Sequence, residues 1–135
     1  GELTADKTIT FNVLNPDKIG HNVRTTPFDA ANPAINKMML PTEEKIAVKG
    51  SKYFVEAEII KLNCDIHPWM GGYIIVHDPR FVAVTGSDGA FEIKNVPAGK
   101  YKVSVFQGAL GEKTIDIEVK AGQASDMGEI KFKKN

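Results

Sequence analysis

The chain has 135 residues, of which 42% are hydrophobic and 25% are charged, as is usual for a globular protein with a sizeable core. Basic and acidic residues number 17 each, so the formal net charge is zero and nothing favours nucleic acid or an anionic membrane as a partner. No apolar run approaches the roughly 18 residues of a membrane span. A single cysteine excludes an intrachain disulfide.

The predicted elements are short β-strands separated by turns. The first, at residues 7–14, places Ile9, Phe11 and Val13 on one face. Residues 25–41 contain three prolines and are predicted to be irregular, with a short helical turn around 33–39. Later strands are predicted at 53–62, 73–76, 81–85, 90–94, 101–105, 115–119 and 130–132, and the turn at 86–89 predicts a hairpin between two of them.

This pattern predicts one fold class. About eight short strands, with no long stretch of 3.6-residue periodicity, favour an all-β Greek-key sandwich. No internal repeat or low-complexity linker interrupts the chain, so a single domain spanning residues 1–135 is expected.

The segment that carries chemistry is residues 64–70, Cys-Asp-Ile-His-Pro-Trp-Met, in the predicted loop between two strands. It brings a thiolate, an imidazole and a thioether close together. Copper that cycles between Cu(II) and Cu(I) needs donors of intermediate softness, and a thiolate, two imidazoles and a weak axial methionine supply them. The spacing therefore predicts that Cys64, His67 and Met70 bind a copper ion.

The remaining ligand has to come from elsewhere in the fold. His21 is the reasonable candidate, because it stands just past the first predicted strand in Gly20-His21-Asn22. An asparagine after a ligand histidine can hydrogen-bond across to the ligand loop and hold the two together. His77 follows the strand that leaves the loop, so we expect it at the far end of the sandwich, without a role in the site.

These segments carry a resemblance to known families. The loop CDIHPWM is similar to the copper loop of amicyanin-type cupredoxins, with the spacing Cys-x-x-His-x-x-Met, and the triplet at residues 20–22 looks like the first-ligand motif of that superfamily. Residues 81–106, FVAVTGSDGAFEIKNVPAGKYKVSVF, resemble the hairpin repeat of carboxypeptidase-regulatory-like domains. In tandem they resemble bacterial plastocyanin-like proteins sometimes labelled methylamine-utilisation proteins, over nearly the whole chain.

The resemblance implies a type 1 copper site with one Cu(II)/Cu(I) ion per chain. His21, Cys64 and His67 would be the equatorial ligands and Met70 the axial one, with the carbonyl of Gly20 as a further possible contact. It implies a cupredoxin-like ligand half at about 7–78 and a regulatory-like hairpin segment at about 79–135. Only twenty residues precede His21, fewer than in ordinary cupredoxins, so we expect an atypical strand order.

Each of these residues also has a simpler interpretation. Cys64 alone could be a buried structural thiol, Met70 a core residue and His21 a polar surface residue; their joint spacing favours a metal site. Trp69 stays open between a core position and the apolar surface around the ligand loop. Asp65 could tune the site by its charge or cap the turn.

Such a ligand set, with no acid–base pair in sequence context, predicts a non-enzymatic one-electron carrier. A redox protein partner is expected to dock near His67, Pro68 and Trp69. Two alternatives remain: a copper-binding protein for storage, delivery or sensing, and a structural β-domain in which the loop is a packed corner. From copper chemistry and the resemblance we expect a periplasmic or extracytoplasmic location, although no signal segment is visible in the chain.

Overall fold

The structure, a computed structural model, describes residues 9–42, 46–50 and 53–133. Its regular elements are β-strands apart from a short 3₁₀ turn at Pro79–Phe81. The strands are β1 (Ile9–Val13), β2 (His21–Pro27), β3 (Asn36–Met39), β4 (Ile46–Gly50), β5 (Glu58–Asn63), β6 (Gly71–Val76), β7 (Gly99–Gln107) and β8 (Gly111–Val119). The predicted all-β fold of about eight strands is confirmed. Within these ranges no helix has the length and apolar character needed to cross a membrane.

The chain divides into two compact units, residues 1–77 and residues 78–135. The first unit holds β1 to β6, and the second holds the 3₁₀ turn, β7 and β8. From the sequence, the boundary between the ligand half and the regulatory-like segment falls between residues 78 and 79. That both units belong to one domain of 135 residues stays a prediction.

The first unit is built from two antiparallel sheets. One has four strands in the order β3-β2-β5-β6, and the other pairs β1 with β4. A cluster of buried side chains, Ile35, Val48, Phe54 and Ile60, joins them, and the ring of Phe11 packs edge-on against Phe54 at 5.3 Å between centroids. Burial of each such side chain stabilises the fold by roughly 1.5–3 kcal/mol. The core therefore lies between the two sheets, as in a sandwich.

Strand register decides where the loop at residues 64–70 lies. β5 and β6 pair up to Asn63 opposite Gly71, so the loop closes the end of this hairpin. β2 runs antiparallel to β5 with Arg24 opposite Asn63. Because His21 comes three residues before Arg24, β2 extends past the end of β5 and lies alongside the loop.

Two predictions about the first unit are wrong. The expected helical turn around 33–39 is instead β3, which pairs with β2 from His21 opposite Met39 to Arg24 opposite Asn36. Pairing with a distant strand here overrides the local proline signal. Neither β2 nor β4 was predicted as a strand; β2 also pairs with β5, and β4 pairs with β1. Lys7 and Thr8, the start of the first predicted strand, lie outside the described residues.

The predicted hairpin at 81–94 is present as a turn and not as a pair of strands. Within the turn, the N–H of Gly86 donates to the carbonyl of Ala90 at 2.9 Å and Asp88 accepts from the N–H of Ala90. Neither flank joins a ladder, and residues 130–132 do not either. Val84 is 89% exposed, so pairing would bury little apolar surface there, and an unsupported hairpin is marginal in water.

A buried polar network fixes the connection from β2 to β3. The side chain of Asn32 accepts from the N–H groups of Val55 and Glu56 at 2.7 and 3.0 Å, and it donates to Glu58 at 2.6 Å. Glu58 also accepts from the N–H of Asp29 at 2.9 Å. Burial raises the pKa of Glu58, whereas these hydrogen bonds lower it. The lowering by the hydrogen bonds is the larger effect, so the net pKa lies below its usual value.

Candidate metal centre

The ligand loop is closed by backbone hydrogen bonds at both ends. The N–H of Cys64 donates to the carbonyl of Met70 at 3.4 Å, and the N–H of Met70 donates to the carbonyl of His67 at 3.0 Å. The pair of Asn63 and Gly71 holds the base of the loop. This short loop points Cys64 inward, with 5% of the residue exposed, and leaves His67 half-buried.

Three of the four predicted ligands converge on one point. The Nδ1 atoms of His21 and His67 lie 3.0 Å apart, and the Sγ atom of Cys64 lies 4.0 Å from the first and 3.7 Å from the second. His21, at 6% exposure, reaches this point from β2, while Cys64 and His67 reach it from the loop. We name these three residues the ligand triangle.

The ligand triangle has the size that a metal ion requires. The circle through its three ligand atoms has a radius of about 2.1 Å, as follows from the three distances. Metal–nitrogen and metal–thiolate bonds are about 2.0–2.3 Å long. Two imidazoles and one thiolate around a shared centre form the donor set of trigonal copper sites. The residues present therefore fit one copper ion.

The other sequence candidates occupy different positions. Met70 lies at the end of the loop with an exposed side chain, and its role as axial ligand stays a prediction. The same holds for a contact from the carbonyl of Gly20. His77 follows Val76, which pairs with Glu58 at the opposite end of the β5–β6 hairpin from the loop. His77 is accordingly outside the ligand triangle, as expected.

The local environment favours the ionised form of Cys64. Burial raises the pKa of the thiol, but hydrogen bonds from the backbone N–H groups of Asn22, Ile66 and His67 and from the ring of His21 lower it more. The net pKa is about 6, compared with 9.0 for an ordinary cysteine. Since a metal binds the thiolate and not the thiol, the sulfur is ready for metal at neutral pH.

A reciprocal pair of hydrogen bonds joins the two chain segments that carry the ligands. Asn22 accepts from the N–H of Asp65 at 2.7 Å and donates to the carboxylate of Asp65 at 2.8 Å. Asn63 donates to the same carboxylate at 3.2 Å, and Arg24 lies 3.4 Å from it. The link expected from Asn22 is present, and Asp65 is its acceptor. Together these bonds hold His21 against the loop.

Sequence reasoning missed Asp17. Its carboxylate lies 2.9 Å from Nε2 of His21, on the far side of the ring from the ligand triangle. The pKa of His21 is raised, first by the hydrogen bond with Cys64, against the lowering effect of burial, and further by Asp17. The sequence does show a carboxylate four residues before His21, but it can contact the His21 ring only if the loop between them folds back, and the sequence pattern does not predict that.

Trp69 belongs to the surface and not to the core, since it is 79% exposed. Its ring centroid lies 5.1 Å from that of His67, and the rings of His21 and His67 are 4.7 Å apart. Ile66 is also exposed on the same loop. An apolar surface therefore borders the half-buried ring of His67, and we call Ile66, Pro68 and Trp69 the apolar loop surface.

Comparison with known proteins concerns mainly the later part of the chain. Residues 71–127 match the family model described as polysaccharide lyase family 4, domain II, a fibronectin-III-like β-sandwich. No cupredoxin or carboxypeptidase-regulatory family model matches. No curated protein and no solved structure matches the chain either. The match begins at the first residue of β6, so all four predicted ligands lie outside it, and what it supports is a β-rich fold for residues 71–127.

Proposed function

We propose that this protein is a mononuclear type 1 copper protein that carries single electrons between redox partners. The observation that carries this proposal is the ligand triangle: two Nδ1 atoms and one Sγ atom equidistant, at about 2.1 Å, from one point. We propose Met70 as the weak axial ligand, because its backbone is tied to the same loop. The ligand half would then be cupredoxin-like, as the loop CDIHPWM suggests.

The surroundings of the triangle suit an ion that changes charge without moving. Asn22 and Asp65 hold β2 to the loop, and backbone N–H groups stabilise the charge on Cys64. A bound copper ion would accept one electron from a reduced partner as Cu(II) and release it to an oxidised one as Cu(I). Rigid ligands make this exchange fast because little rearranges between the two states.

His67 and the apolar loop surface offer the route for the electron. His67 is half-buried, whereas His21 and Cys64 are buried, so within the ligand triangle the His67 ring is nearest to solvent, and it lies beside Trp69. Exposed aromatic and aliphatic side chains are typical of surfaces that bind other proteins. We propose that the redox partner docks at His67, Pro68 and Trp69.

The name of the matched family does not lead us to propose an enzyme. The match covers residues 71–127 and includes none of the four proposed ligands, so no lyase activity is proposed for this site. We propose a non-enzymatic role in the periplasm or elsewhere outside the cytoplasm, where copper proteins with this ligand set would meet their metal and their partners.

Copper storage or delivery is the second candidate, and one observation favours it. Met38 is exposed on β3 opposite Asn22, and Met70 is exposed at the end of the loop, so the unit that carries the ligand triangle has two accessible thioethers. Accessible thioethers suit the transfer of Cu(I) from one protein to another. Repeated reduction and oxidation without loss of metal would favour the electron carrier, and release of Cu(I) to a chelator in each cycle would favour delivery.

The test is a visible absorption spectrum after one equivalent of Cu(II) is added to the metal-free protein. We expect an intense thiolate-to-copper band, which Cys64→Ser abolishes and Zn(II) does not produce. His77→Ala, which removes a histidine outside the ligand triangle, should leave the band unchanged. A pale spectrum with only weak ligand-field absorption would contradict the type 1 site.

A further inference from the structure

The loop before β2 has a fixed conformation that places Asp17 beside His21. The buried side chain of Asn15 donates to the carbonyls of Ile19 and Leu40 at 3.0 and 2.9 Å, and it accepts from the N–H of Asp17 at 3.1 Å. The N–H of Thr42 donates to the carbonyl of Asp17 at 2.8 Å. The side chain of Asn15 and the backbone of Thr42 thus anchor the loop without using the carboxylate of Asp17, which contacts His21.

The hydrogen bond from His21 to Asp17 determines which ring nitrogen of His21 carries the proton, and therefore whether Nδ1, which faces the ligand triangle, has a free lone pair. A neutral imidazole carries one N–H, and an ionised carboxylate can only accept. With Oδ2 of Asp17 2.9 Å from Nε2 and the Sγ atom of Cys64 as far as 4.0 Å from Nδ1, the single proton of a neutral His21 ring belongs on Nε2, and both nitrogens carry a proton only when the ring is charged. Nδ1, the atom 3.0 Å from Nδ1 of His67, is then free to bind metal.

The carboxylate also brings a negative charge to the ligand ring. Asp17 is 57% exposed at its side chain, whereas the ring of His21 that it contacts is 8% exposed. Solvent therefore screens the charge in part, but the hydrogen bond passes electron density into the ring. A ligand made more basic in this way stabilises the more positively charged state of a metal ion.

We propose that Asp17 is a positioning residue of the metal centre, which fixes His21 in the Nε2–H tautomer and biases a bound copper ion toward Cu(II). The proposal rests on the proposed function, because its second half needs a copper ion in the ligand triangle. Beyond the proposed function, it states that the charge of Asp17, outside the ligand triangle, lowers the reduction potential of the bound copper ion below the value that the ligand triangle alone would give.

The first measurement concerns the metal-free protein and needs no copper. Long-range ¹H–¹⁵N NMR of the histidine rings, at a pH where His21 is neutral, should show the Nε2–H tautomer in the wild type. Asp17→Ala should give a mixture of both tautomers, while Asp17→Asn, which keeps an acceptor oxygen, should retain Nε2–H. An Nδ1–H tautomer in the wild type, or the same tautomer in wild type and Asp17→Ala, would overturn the positioning role.

The second measurement is the reduction potential of the copper-loaded protein, followed through the thiolate-to-copper band during titration with a one-electron mediator. Both Asp17→Asn and Asp17→Ala should favour the reduced form by about tenfold, a rise of about 59 mV for a one-electron couple. Glu56→Gln removes an equal charge at an exposed position just before β5, at the end of the β5–β6 hairpin opposite the loop, and should leave the potential unchanged. Equal potentials in wild type and Asp17→Asn would overturn the bias.

The two measurements separate this proposal from the proposed function. A wild-type protein without the thiolate-to-copper band would contradict the electron carrier and with it the bias toward Cu(II), yet the NMR tautomer would still decide the positioning role. A normal band with unchanged potentials in both Asp17 variants would leave the electron carrier standing and overturn the bias alone.

Discussion

Cys64 shows how a buried side chain can be charged. Removing a thiolate from water is unfavourable, and burial by itself raises the pKa of Cys64. Three backbone N–H groups and the ring of His21 aim at the sulfur and reverse that effect. The protein therefore carries hydrogen-bond donors that a simple core cysteine would not need, which favours a ligand over a structural thiol.

The first prediction follows from this net pKa of about 6. In the metal-free protein, the ultraviolet absorbance of the thiolate should appear as the pH rises through about 6, well below the 9.0 of an ordinary cysteine. Cys64→Ser should show no such titration, since the chain has one cysteine. A midpoint near the ordinary value would mean that the donors do not reach the sulfur in solution.

The second prediction concerns Trp69, the single tryptophan of the chain. Because it is 79% exposed, its fluorescence maximum in the folded protein should match that of tryptophan in water and shift little on unfolding. Cu(II) at the neighbouring His67, whose ring lies 5.1 Å away, should quench the emission. Trp69→Ala should change the free energy of unfolding by less than about 0.5 kcal/mol, against about 3–5 kcal/mol for a core tryptophan.

At the scale of elements, the sequence predicted those strands whose pattern is local. Alternation around Tyr101 and around Ile117 identified β7 and β8, which pair with each other through a short connection. β3 and β4 lack such a pattern, and each exists because a distant strand supplies its hydrogen-bond partners. The flanks of the turn at 86–89 show the reverse case, a local hairpin pattern without a ladder.

The third prediction tests the network that holds the connection between β2 and β3. Asn32→Ala removes the acceptor of the N–H groups of Val55 and Glu56 and one of the donors to the carboxylate of Glu58. We expect a loss of about 1–3 kcal/mol in the free energy of unfolding, measured by urea denaturation. Asn12→Ala, on the exposed side of β1, is the matched control and should stay within about 0.5 kcal/mol. Equal losses in both variants would rule out a special role for the network.

At the scale of the whole molecule, the candidate site and the family match occupy different parts of the chain. His21, Cys64, His67 and Met70 all belong to the first unit, while the match runs from β6 through β8. The spacing within residues 64–70 was enough to predict that Cys64 and His67 lie close together, because one hairpin carries both. His21 could be proposed only by elimination among three histidines, and Asp17 not at all, since both depend on how the first loop folds back onto β3.

The fourth prediction follows from this placement of the ligands. A metal ion in the ligand triangle connects β2 to the loop after β5, so the loop can open only if metal–ligand bonds break. At a free metal concentration 100 times the dissociation constant, opening should be suppressed about 100-fold, or about 2.7 kcal/mol. Hydrogen exchange measured by mass spectrometry should therefore slow in peptides that cover residues 20–24 and 64–70, and stay unchanged in β7 and β8. Cys64→Ser should lose this protection, and equal slowing in β7 and β8 would show that metal binding also stabilises the second unit.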